Sequence, residues 1–575
     1  MEKHIIRRQL KEEAESKLHE VHPLLRQLYS SRKLNDPIQL DRQLMRLLPF
    51  ESLLGIDTAV KILALAVTAN KKLLVVGDFD ADGATSTAVA VRALKSFGAE
   101  HVTYLVPNRF SYGYGLTKEL VESITDLPHI ILTVDNGIAN HAGVDAANER
   151  GIEVVITDHH LQGLTLPAAA AIVNPNQAAD PFISKNLAGV GVVFYVMLAL
   201  RRYLVEIKWF ETRKIAPPNM ARLLDLVALG TVADLVPLDH NNRILVHQGL
   251  QRIRAGLCVP GIVALLECSN RDFTRVTASD LGFVVASRLN AAGRLDDMSQ
   301  GIECLLCDDS LIARQYARKL DQLNHERREI EVDMQTQAMH ALEKLSSKLK
   351  GELPKGLCLY DESWHQGVIG ILAARIKEKF HRPVIVMAPG QHGELKGSAR
   401  SIPGFHMRDA FAVIDAQYPR LIKKFGGHAM AAGLTIDQTS YAQFAEIFSV
   451  TVADLIAEED LQHSILSDGE LALNYLNLET AHLLREAGPW GQAFPEPLFD
   501  DAFQLVEQRI VADKHLKLIL GKEDKLIDAM AFFVDIKQWP NHRCQRVQAA
   551  YRLDVNEYRG KKNLQLIIEH LLPLS

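Results

Sequence analysis

The chain has 575 residues, a formal net charge of -6, 47% hydrophobic residues and 23% charged residues. This length exceeds what one hydrophobic core supports, so we expect about two to four domains of ordinary globular composition. The negative net charge excludes a uniformly basic nucleic-acid coat but is compatible with a local basic groove.

The longest apolar stretches are interrupted by charge before about 18 residues, which argues against a transmembrane helix. The charged N-terminus lacks an apolar signal core, so we expect a cytoplasmic protein without membrane contact. Cys304 and Cys307 form a Cys-x-x-Cys pair, but no second pair lies at zinc-site spacing. We interpret the six cysteines as buried thiols of a reducing compartment.

Residues 1–50 are polar and rich in leucine and arginine, and they predict a helical lead-in. We place an α/β catalytic domain at 51–305, because apolar runs of strand length alternate there with helical segments. Runs of this kind, buried on both faces, are typical of a parallel sheet with crossover helices. The expected strands are 73–76, 101–106, 130–134, 153–156 and 171–173.

Acidic clusters follow three of these strands. They comprise Asp78, Asp80 and Asp82 after the first strand, Asp135 after the third, and Asp158, His159 and His160 after the fourth. Each cluster alone also fits a polar surface turn. Because ligands bind at the carboxyl ends of parallel strands, we expect the three clusters to converge. Carboxylates with imidazole and no cysteine favour Mg²⁺ or Mn²⁺ over a structural zinc.

The sequence contains two further candidate sites, a lone aspartate and a cluster of arginine and asparagine. Asp234 closes an apolar stretch, although a lone aspartate there also fits a helix cap. Arg288, Asn290 and Arg294 lie among small residues, and a turn of this composition can bind a phosphate. A solvated helix face is the default interpretation for paired arginines.

Residues 306–352 are predicted to form a long connecting helix, because 311–349 contain no glycine or proline and apolar residues recur at helical spacing. A smaller α/β domain is expected at 353–455. Its polar clusters with glycine suit phosphate oxygens, although tight turns with structural glycines are the alternative. The candidate residues there are His365, Ser398, Arg400, Gly427 and His428.

At 456–575 we expect a linker and a C-terminal β-barrel of the OB type, because five strand-like runs follow a proline-rich stretch. Basic and aromatic residues there could line a groove for a nucleic-acid strand. They are Lys514, Lys517, Lys522, Lys525, Phe532, Phe533, Tyr551, Lys561 and Lys562. Since Phe532 and Phe533 would alternate on a strand, we expect at least one of them in the core.

Taken together, these motifs resemble the DHH phosphoesterase superfamily, and within it the bacterial single-strand-specific exonucleases. The resemblance covers about residue 53 to the C-terminus. The motifs that carry it are 78–83, 135–137, 158–160 and 230–234, with further matches at 107–109, 113–115 and 288–294.

The resemblance implies a two-metal phosphodiesterase that degrades single-stranded DNA from the 5′ end to mononucleotides, in recombination and repair. Two divalent cations, Mn²⁺ or Mg²⁺, would lie about 3.5–4 Å apart. The implied ligands are Asp80, Asp82, Asp135 as a bridge, His159 and Asp234, with Asp78 as an additional ligand. His160 would contact the scissile phosphate, and Asp158 would orient a histidine.

Substrate contacts are expected from a further set. Arg109, Ser398, Arg400 and His428 would anchor phosphates, and Tyr114 would stack on a base. Arg288, Asn290, Arg294, His365 and Gly427 complete this set. We expect a monomer that binds single-stranded DNA and that meets a helicase and a single-stranded-DNA-binding protein.

The sequence leaves two alternatives open. A phosphoesterase for short oligonucleotides, cyclic dinucleotides or nucleotide monophosphates would use the same metal site. The second alternative is a scaffold protein that kept the fold and lost its metals. The sequence has every acidic residue and histidine that the motifs require, which argues against this alternative.

Overall fold

The computed structural model describes residues 4–9, 18–108, 112–348, 353–558 and 560–574. Two compact units contain them, one formed by 8–324 with 467–575 and the other by the first residues with 325–466. Arg109 lies outside the described residues, so its predicted role stays a prediction. Among the helices described, none is long and apolar enough to cross a membrane.

The predicted helical lead-in is only partly helical. Strand β1 (His4–Arg7) pairs with a later strand, which corrects the prediction at this end. Its β-branched Ile5 and Ile6 favour an extended backbone. Helix α1 (Pro23–Ser31) follows, and then three short 3₁₀ helices at Pro37–Leu40, Leu44–Arg46 and Phe50–Ser52.

A five-stranded parallel sheet forms the centre of the first unit, in the order β3-β2-β4-β5-β6. The apolar runs of the sequence became these strands within one residue at each end, so this part of the fold prediction is confirmed. The elements are α2 (Ile56–Thr68), β2 (Leu73–Val76), α3 (Ala81–Ser96), β3 (Val102–Leu105), α4 (Lys118–Glu122), β4 (Ile130–Val134), α5 (His141–Glu149), β5 (Glu153–Thr157) and β6 (Ala171–Val173).

Helices complete the catalytic part of this unit. They are α6 (Gly189–Glu206), α7 (Trp209–Arg213), α8 (Leu224–Ala233), α9 (His240–Arg254), α10 (Pro260–Cys268), α11 (Ala278–Asp280), a π-helix at Leu281–Ala286, α12 (Ser287–Leu295) and α13 (Ser299–Leu306). Residues 288–294 form part of α12 and not a turn, so the turn that could bind a phosphate is corrected to a helix. Helix α12 lies close to the loop after β2, because a Cβ on Gly293 would lie 1.7 Å from the Phe79 carbonyl oxygen. Asn290 of the same helix accepts a 2.8 Å hydrogen bond from the Ala81 amide.

Helix α14 (Ser310–Lys348) confirms the predicted long helix and reaches from one unit into the other. The cysteines are all free thiols, but only Cys304 is buried, so their predicted burial holds for that residue alone.

The second unit contains a mixed five-stranded sheet in the order β10-β11-β9-β8-β7. The sequence did not predict β9, which carries Ser398 and Arg400, or β10. In β9, polar residues alternate with buried Leu395, Gly397 and Ala399, which is strand periodicity. The elements are β7 (Leu357–Tyr360), α15 (Ile369–Phe380), β8 (Val384–Pro389), β9 (Glu394–Arg400), α16 (Met407–Gln417), β10 (Lys424–Gly427), β11 (Ala431–Asp437), α17 (Tyr441–Leu455) and β12 (Ser464–Ser467).

The C-terminal strands close into a barrel, as predicted, in the order β13-β14-β15-β17-β16. Tyr551 was expected in a groove, but it is fully buried in the barrel core and its hydroxyl donates to Asp501. Phe532 and Phe533 follow β15 and are both exposed, so the prediction that one is core is wrong. The elements are α18 (Leu478–Ala487), β13 (Phe499–Val511), β14 (His515–Lys522), β15 (Lys525–Ala531), β16 (Arg546–Tyr558) and β17 (Lys561–Leu574).

The segment before β13 fastens the barrel to the catalytic helices. Trp490 and Phe494 stack at 4.9 Å between their ring centroids. Arg32 lies over Trp490 at 5.3 Å, and Arg243 of α9 lies over Phe494 at 4.6 Å. This alternation of guanidinium groups and aromatic rings gives the junction a packed interior.

Candidate active site

The loop after β2 presents three aspartates at the carboxyl edge of the sheet. Asp80 caps α3, since its Oδ1 accepts the Gly83 amide at 3.0 Å. Asp82 is buried, and its two carboxylate oxygens accept the amides of Gly189 at 2.6 Å and Val190 at 3.0 Å. These amides belong to the first turn of α6, where a helix has unpaired donors and favours negative charge.

Asp135 follows β4 in the left-handed backbone region, with φ of 63°. This conformation is costly for a residue other than glycine and tends to occur at functional sites. The next residue, Asn136, holds the position by donating its amide to the carbonyl oxygens of Val76 and Val134. The backbone therefore fixes the Asp135 carboxylate at the sheet edge.

The tight turn after β5 positions the two histidines. Oδ1 of Asp158 accepts the amides of His159 and His160 and lies 2.7 Å from Nδ1 of His160. Its Oδ2 accepts the Ile138 amide at 2.9 Å. Asp158 is therefore a buried acceptor that orients His160, rather than His159.

The predicted metal ligands converge, although they come from four separate segments. Nε2 of His159 lies 3.2 Å from Asp135 Oδ1 and 3.5 Å from Asp234 Oδ2. Potential ligand atoms lie within 4.8 Å of one another in three groups. The groups are Asp78, Asp80 and Asp135; Asp82, His159 and Asp234; and Asp135, His159 and His160.

Burial and mutual repulsion perturb these carboxylates. Burial, with Asp234 and Asp80 nearby, raises the pKa of Asp82 to about 7. Burial and Asp80 raise the pKa of Asp234 to about 7, and burial raises the pKa of Asp135 as well. Burial also works against charge on Asp158, but His160 outweighs it and brings the Asp158 pKa down to about 2.

The residues fit a divalent cation. Asp135 Oδ1 and His159 Nε2 are buried and lack a hydrogen-bond partner among the described residues. Buried polar atoms without partners are costly, and a cation would satisfy them and relieve the repulsion between the aspartates. Oxygen atoms with one imidazole are the ligands that Mg²⁺ and Mn²⁺ accept.

Tyr114 lies beside the histidines. Its hydroxyl donates to the Asp135 carbonyl oxygen at 3.2 Å and lies 3.2 Å from His160 Nε2. Its ring makes an edge contact with Phe79, 6.0 Å between centroids. Tyr114 as a residue is 43% exposed, and its predicted base contact stays a prediction. Its hydroxyl has a second role that the sequence did not indicate.

The three candidates of α12 have different surroundings. Arg288 is buried and forms an ion pair with Asp321 at 2.8 Å, and it also donates to the Val284 carbonyl oxygen. Asn290 accepts a hydrogen bond from the Ala81 amide, at the end of the segment 77–82 that follows β2 and that we call the metal loop. Arg294 lies in the last turn of the helix.

In the second unit, Ser398 and Arg400 lie two residues apart on β9, with 3.2 Å between the guanidinium Nη1 and the hydroxyl. A Cβ on Gly370, near the start of α15, would lie 3.1 Å from Ser398 Oγ and 3.2 Å from Arg400 Nη2. Gly427 ends β10 with φ of 128°, and the turn with His428 leads into β11, which pairs with β9. His365 precedes α15, and its Nδ1 accepts the Gly367 amide.

Sequence reasoning missed three glycines that let the site close. A Cβ on Gly189 would lie 2.5 Å from Asp135 Oδ1, and one on Gly230 would lie 2.8 Å from Asp82 Oδ1. A Cβ on Gly293 would lie 1.7 Å from the Phe79 carbonyl oxygen. The available signal was glycine at helix positions, where it is otherwise unfavourable.

Three protein-family models match the chain: the DHH family, N-terminal domain at residues 72–231, the DHHA1 domain at 353–456 and the RecJ OB domain at 467–570. The chain is 56% identical to a single-stranded-DNA-specific exonuclease RecJ of Dickeya dadantii over 554 residues, 96% of each chain. It is 53% identical to that of Escherichia coli, again over 96% of each chain. The chain belongs to the RecJ family.

A solved RecJ structure from Thermus thermophilus, in complex with Mn²⁺, covers 100% of this chain and 79% of its own, with a TM-score of 0.80 and 30% identity. A second structure of that protein, with Mg²⁺, gives a TM-score of 0.74 at 27% identity. These findings confirm the resemblance seen in the motifs, and with it the α/β domains followed by an OB barrel. The RecJ fold therefore provides the frame for the acidic site described above.

Proposed function

We propose that this RecJ-family chain is a metal-dependent exonuclease that hydrolyses single-stranded DNA from the 5′ end and releases 5′-mononucleotides. One observation carries the proposal: three ligand groups from four chain segments meet at the sheet edge, with Asp135 shared between two of them. A carboxylate shared in this way suits a pair of cations. We propose a role in DNA recombination and repair.

The ligand set that we propose is Asp78, Asp80, Asp82, Asp135, His159 and Asp234. When bound, two Mn²⁺ or Mg²⁺ ions would supply an activated water and stabilise the charge on the attacking and leaving oxygens. Asp78 belongs to the same ligand group as Asp80 and Asp135, which supports its inclusion.

We propose that His160 contacts the scissile phosphate. Burial works against its protonation, but Asp158 outweighs burial and raises the pKa of His160 to about 9. A cationic imidazole donates a charge-assisted hydrogen bond to an anionic oxygen. The Tyr114 hydroxyl and Asp158 hold the ring from two sides.

We propose that a further set of residues anchors the substrate, because their side chains or backbone suit phosphate oxygens: Arg109, His365, Ser398, Arg400, Gly427 and His428. Arg294 and Asn290 of α12 are proposed for the same role. Arg288 is proposed to act through α12, because its guanidinium is engaged by Asp321. We propose a monomer that acts in the cytoplasm beside a helicase and a single-stranded-DNA-binding protein.

The test is digestion of 5′- and 3′-labelled single strands and of a blunt duplex, with Mn²⁺, with Mg²⁺ and with chelator. We expect mononucleotides released first from the 5′ end, weak action on the duplex, and no activity in chelator or in Asp135→Ala. Activity in chelator, or release from the 3′ end first, contradicts the proposal. Cleavage restricted to short oligonucleotides identifies the smaller-substrate phosphoesterase instead.

A further inference from the structure

One segment of the first unit joins the OB barrel to the metal loop. At its start, Arg275 forms an ion pair with Glu557 of β16. At its end, Asn290 accepts the Ala81 amide and Gly293 packs against the Phe79 carbonyl oxygen. We call residues 273–295 the bridging segment, because it contacts the barrel at one end and the metal loop at the other.

The middle of the bridging segment exposes an aromatic ring. Phe283 lies in the π-helix and is 75% exposed, whereas Leu281, Val285 and Ala286 on either side are buried. A π-helix is rare and is often found at functional sites. The ring therefore projects from a backbone that its neighbours fix in place.

The π-helix lies against the helix that delivers a metal ligand. A Cβ on Gly282 would lie 3.3 Å from the Val232 side chain, two residues before Asp234. Leu235 follows Asp234 in the left-handed region, with φ of 58°, and is 66% exposed. An exposed leucine in this backbone conformation costs energy without a gain in burial, and such strain tends to lie at functional sites.

Exposed apolar side chains are common on protein surfaces, so exposure alone assigns nothing. Phe283 differs by its place. It lies eight residues from the barrel contact of Arg275 and seven residues from Asn290, about 10 Å from the latter at the helical rise. A strand that runs from the barrel to the metal centre along this segment passes the ring.

We propose that Phe283 is a base-stacking residue for the single-stranded substrate, and that it holds one base downstream of the scissile phosphate. The inference rests on the proposed function and deepens it. Every nucleobase has a face that stacks on an aromatic ring, so this contact tolerates sequence. It places the strand without reading it, as an exonuclease for arbitrary sequences requires.

The experiment uses the inactive Asp135→Ala full-length chain and a 5′-phosphorylated oligodeoxythymidine strand. A series of strands carries one abasic nucleotide at successive positions from the 5′ end, and binding is measured by fluorescence anisotropy. We expect one position that depends on Phe283, at which the abasic nucleotide weakens binding about 10-fold; a base held by Tyr114 would give a separate position. Adding Phe283→Ala should weaken binding of the intact strand about 10-fold and remove the sensitivity at that one position.

Two matched variants complete the design. Phe283→Trp should keep both the affinity and the position dependence, because it preserves a stacking surface. Leu65→Ala, which removes an exposed apolar side chain from α2, should bind like the parent. The inference is overturned if Phe283→Ala binds the intact strand as tightly as the parent, or if it keeps the same abasic profile.

Failure of the inference and failure of the proposed function are distinguishable. If the wild-type chain digests the intact strand from the 5′ end while Phe283→Ala leaves the abasic profile unchanged, only the stacking role falls. If the wild-type chain neither binds nor digests single strands, both proposals fall.

Discussion

A Cβ atom on Gly189 would lie 2.5 Å from Oδ1 of Asp135, so the first turn of α6 closes directly onto the carboxylate that two ligand groups share. The same turn donates its Gly189 and Val190 amides to Asp82. One helix terminus thus sets the spacing between aspartates of two different strand ends.

Replacing Gly189 by alanine should displace the Asp135 carboxylate. We expect about 10–100-fold weaker Mn²⁺ binding in calorimetry, the range found when the partners of metal ligands are lost, and a comparable loss of exonuclease rate. Gly191→Ala is the matched control, because its Cβ would first meet the flexible Leu187 side chain at 3.1 Å. Equal Mn²⁺ affinity in the two variants would show that the close approach is not important.

Asp158→Asn should separate metal binding from catalysis. Without the carboxylate, His160 loses the partner that keeps it cationic and oriented, so we expect kcat to fall about 10–100-fold while Mn²⁺ affinity stays within a few-fold. In His160→Ala the added Asp158→Asn change should cost little, since both remove one function. Fully additive losses in the double variant would contradict the pairing.

Asp468→Asn should destabilise the first unit. The carboxylate of Asp468 accepts hydrogen bonds from both Nη atoms of Arg32, each at 2.9 Å. The Asp468 side chain is 2% exposed and the Arg32 side chain is 1% exposed. Breaking a buried pair leaves an uncompensated charge, which costs about 3–5 kcal/mol. Urea unfolding measures this cost.

Glu496→Gln is the control for that measurement, because the ion pair of Glu496 with Arg552 is exposed. Exposed pairs contribute about 0–1 kcal/mol. If the two substitutions have similar effects on the unfolding free energy, the Asp468 pair is not structurally important.

His247 predicts a pH dependence of stability. Burial, with Arg42 and Arg254 nearby, lowers its pKa from 6.5 to about 4. Between these pH values the unfolded chain binds more protons at His247 than the folded chain does. The contribution of His247 to the unfolding free energy is therefore fully present above pH 6.5 and is lost as the pH falls toward 4.

The matched comparison for His247 is His247→Gln, in thermal melts at pH 7.5 and pH 5. Between these values the wild type should lose about 2 °C more in Tm than the variant. Because the other titrating groups are common to both chains, the difference isolates His247. Parallel losses would contradict the assignment.

The sequence predicts the strands of the catalytic sheet because their apolar runs are local patterns. It also predicts the convergence of Asp78, Asp135 and His159, since parallel strands end at one edge. It does not predict that Asp82 bonds the start of α6, because a contact across more than 100 residues leaves no periodic trace.

Other differences have local causes. Strand β9, which carries Ser398 and Arg400, contains small and polar residues and a glycine, a composition typical of a turn. Only the alternation of buried and partly exposed residues along it indicates a strand. The side chain of Tyr551 has an apolar ring and a polar hydroxyl, so its sequence fits either a groove or the core. The closed barrel shows that the hydroxyl bonds Asp501 in the interior.

The stacked junction of Trp490 and Phe494 between Arg32 and Arg243 fixes the barrel against the catalytic helices. We expect both the barrel and the metal site to bind the strand, and this junction keeps the two surfaces at a constant separation. A strand long enough to reach both gains from their high effective concentration, whereas a shorter one binds each surface separately and weakly. The dependence of affinity on strand length should therefore show a threshold rather than a gradual rise.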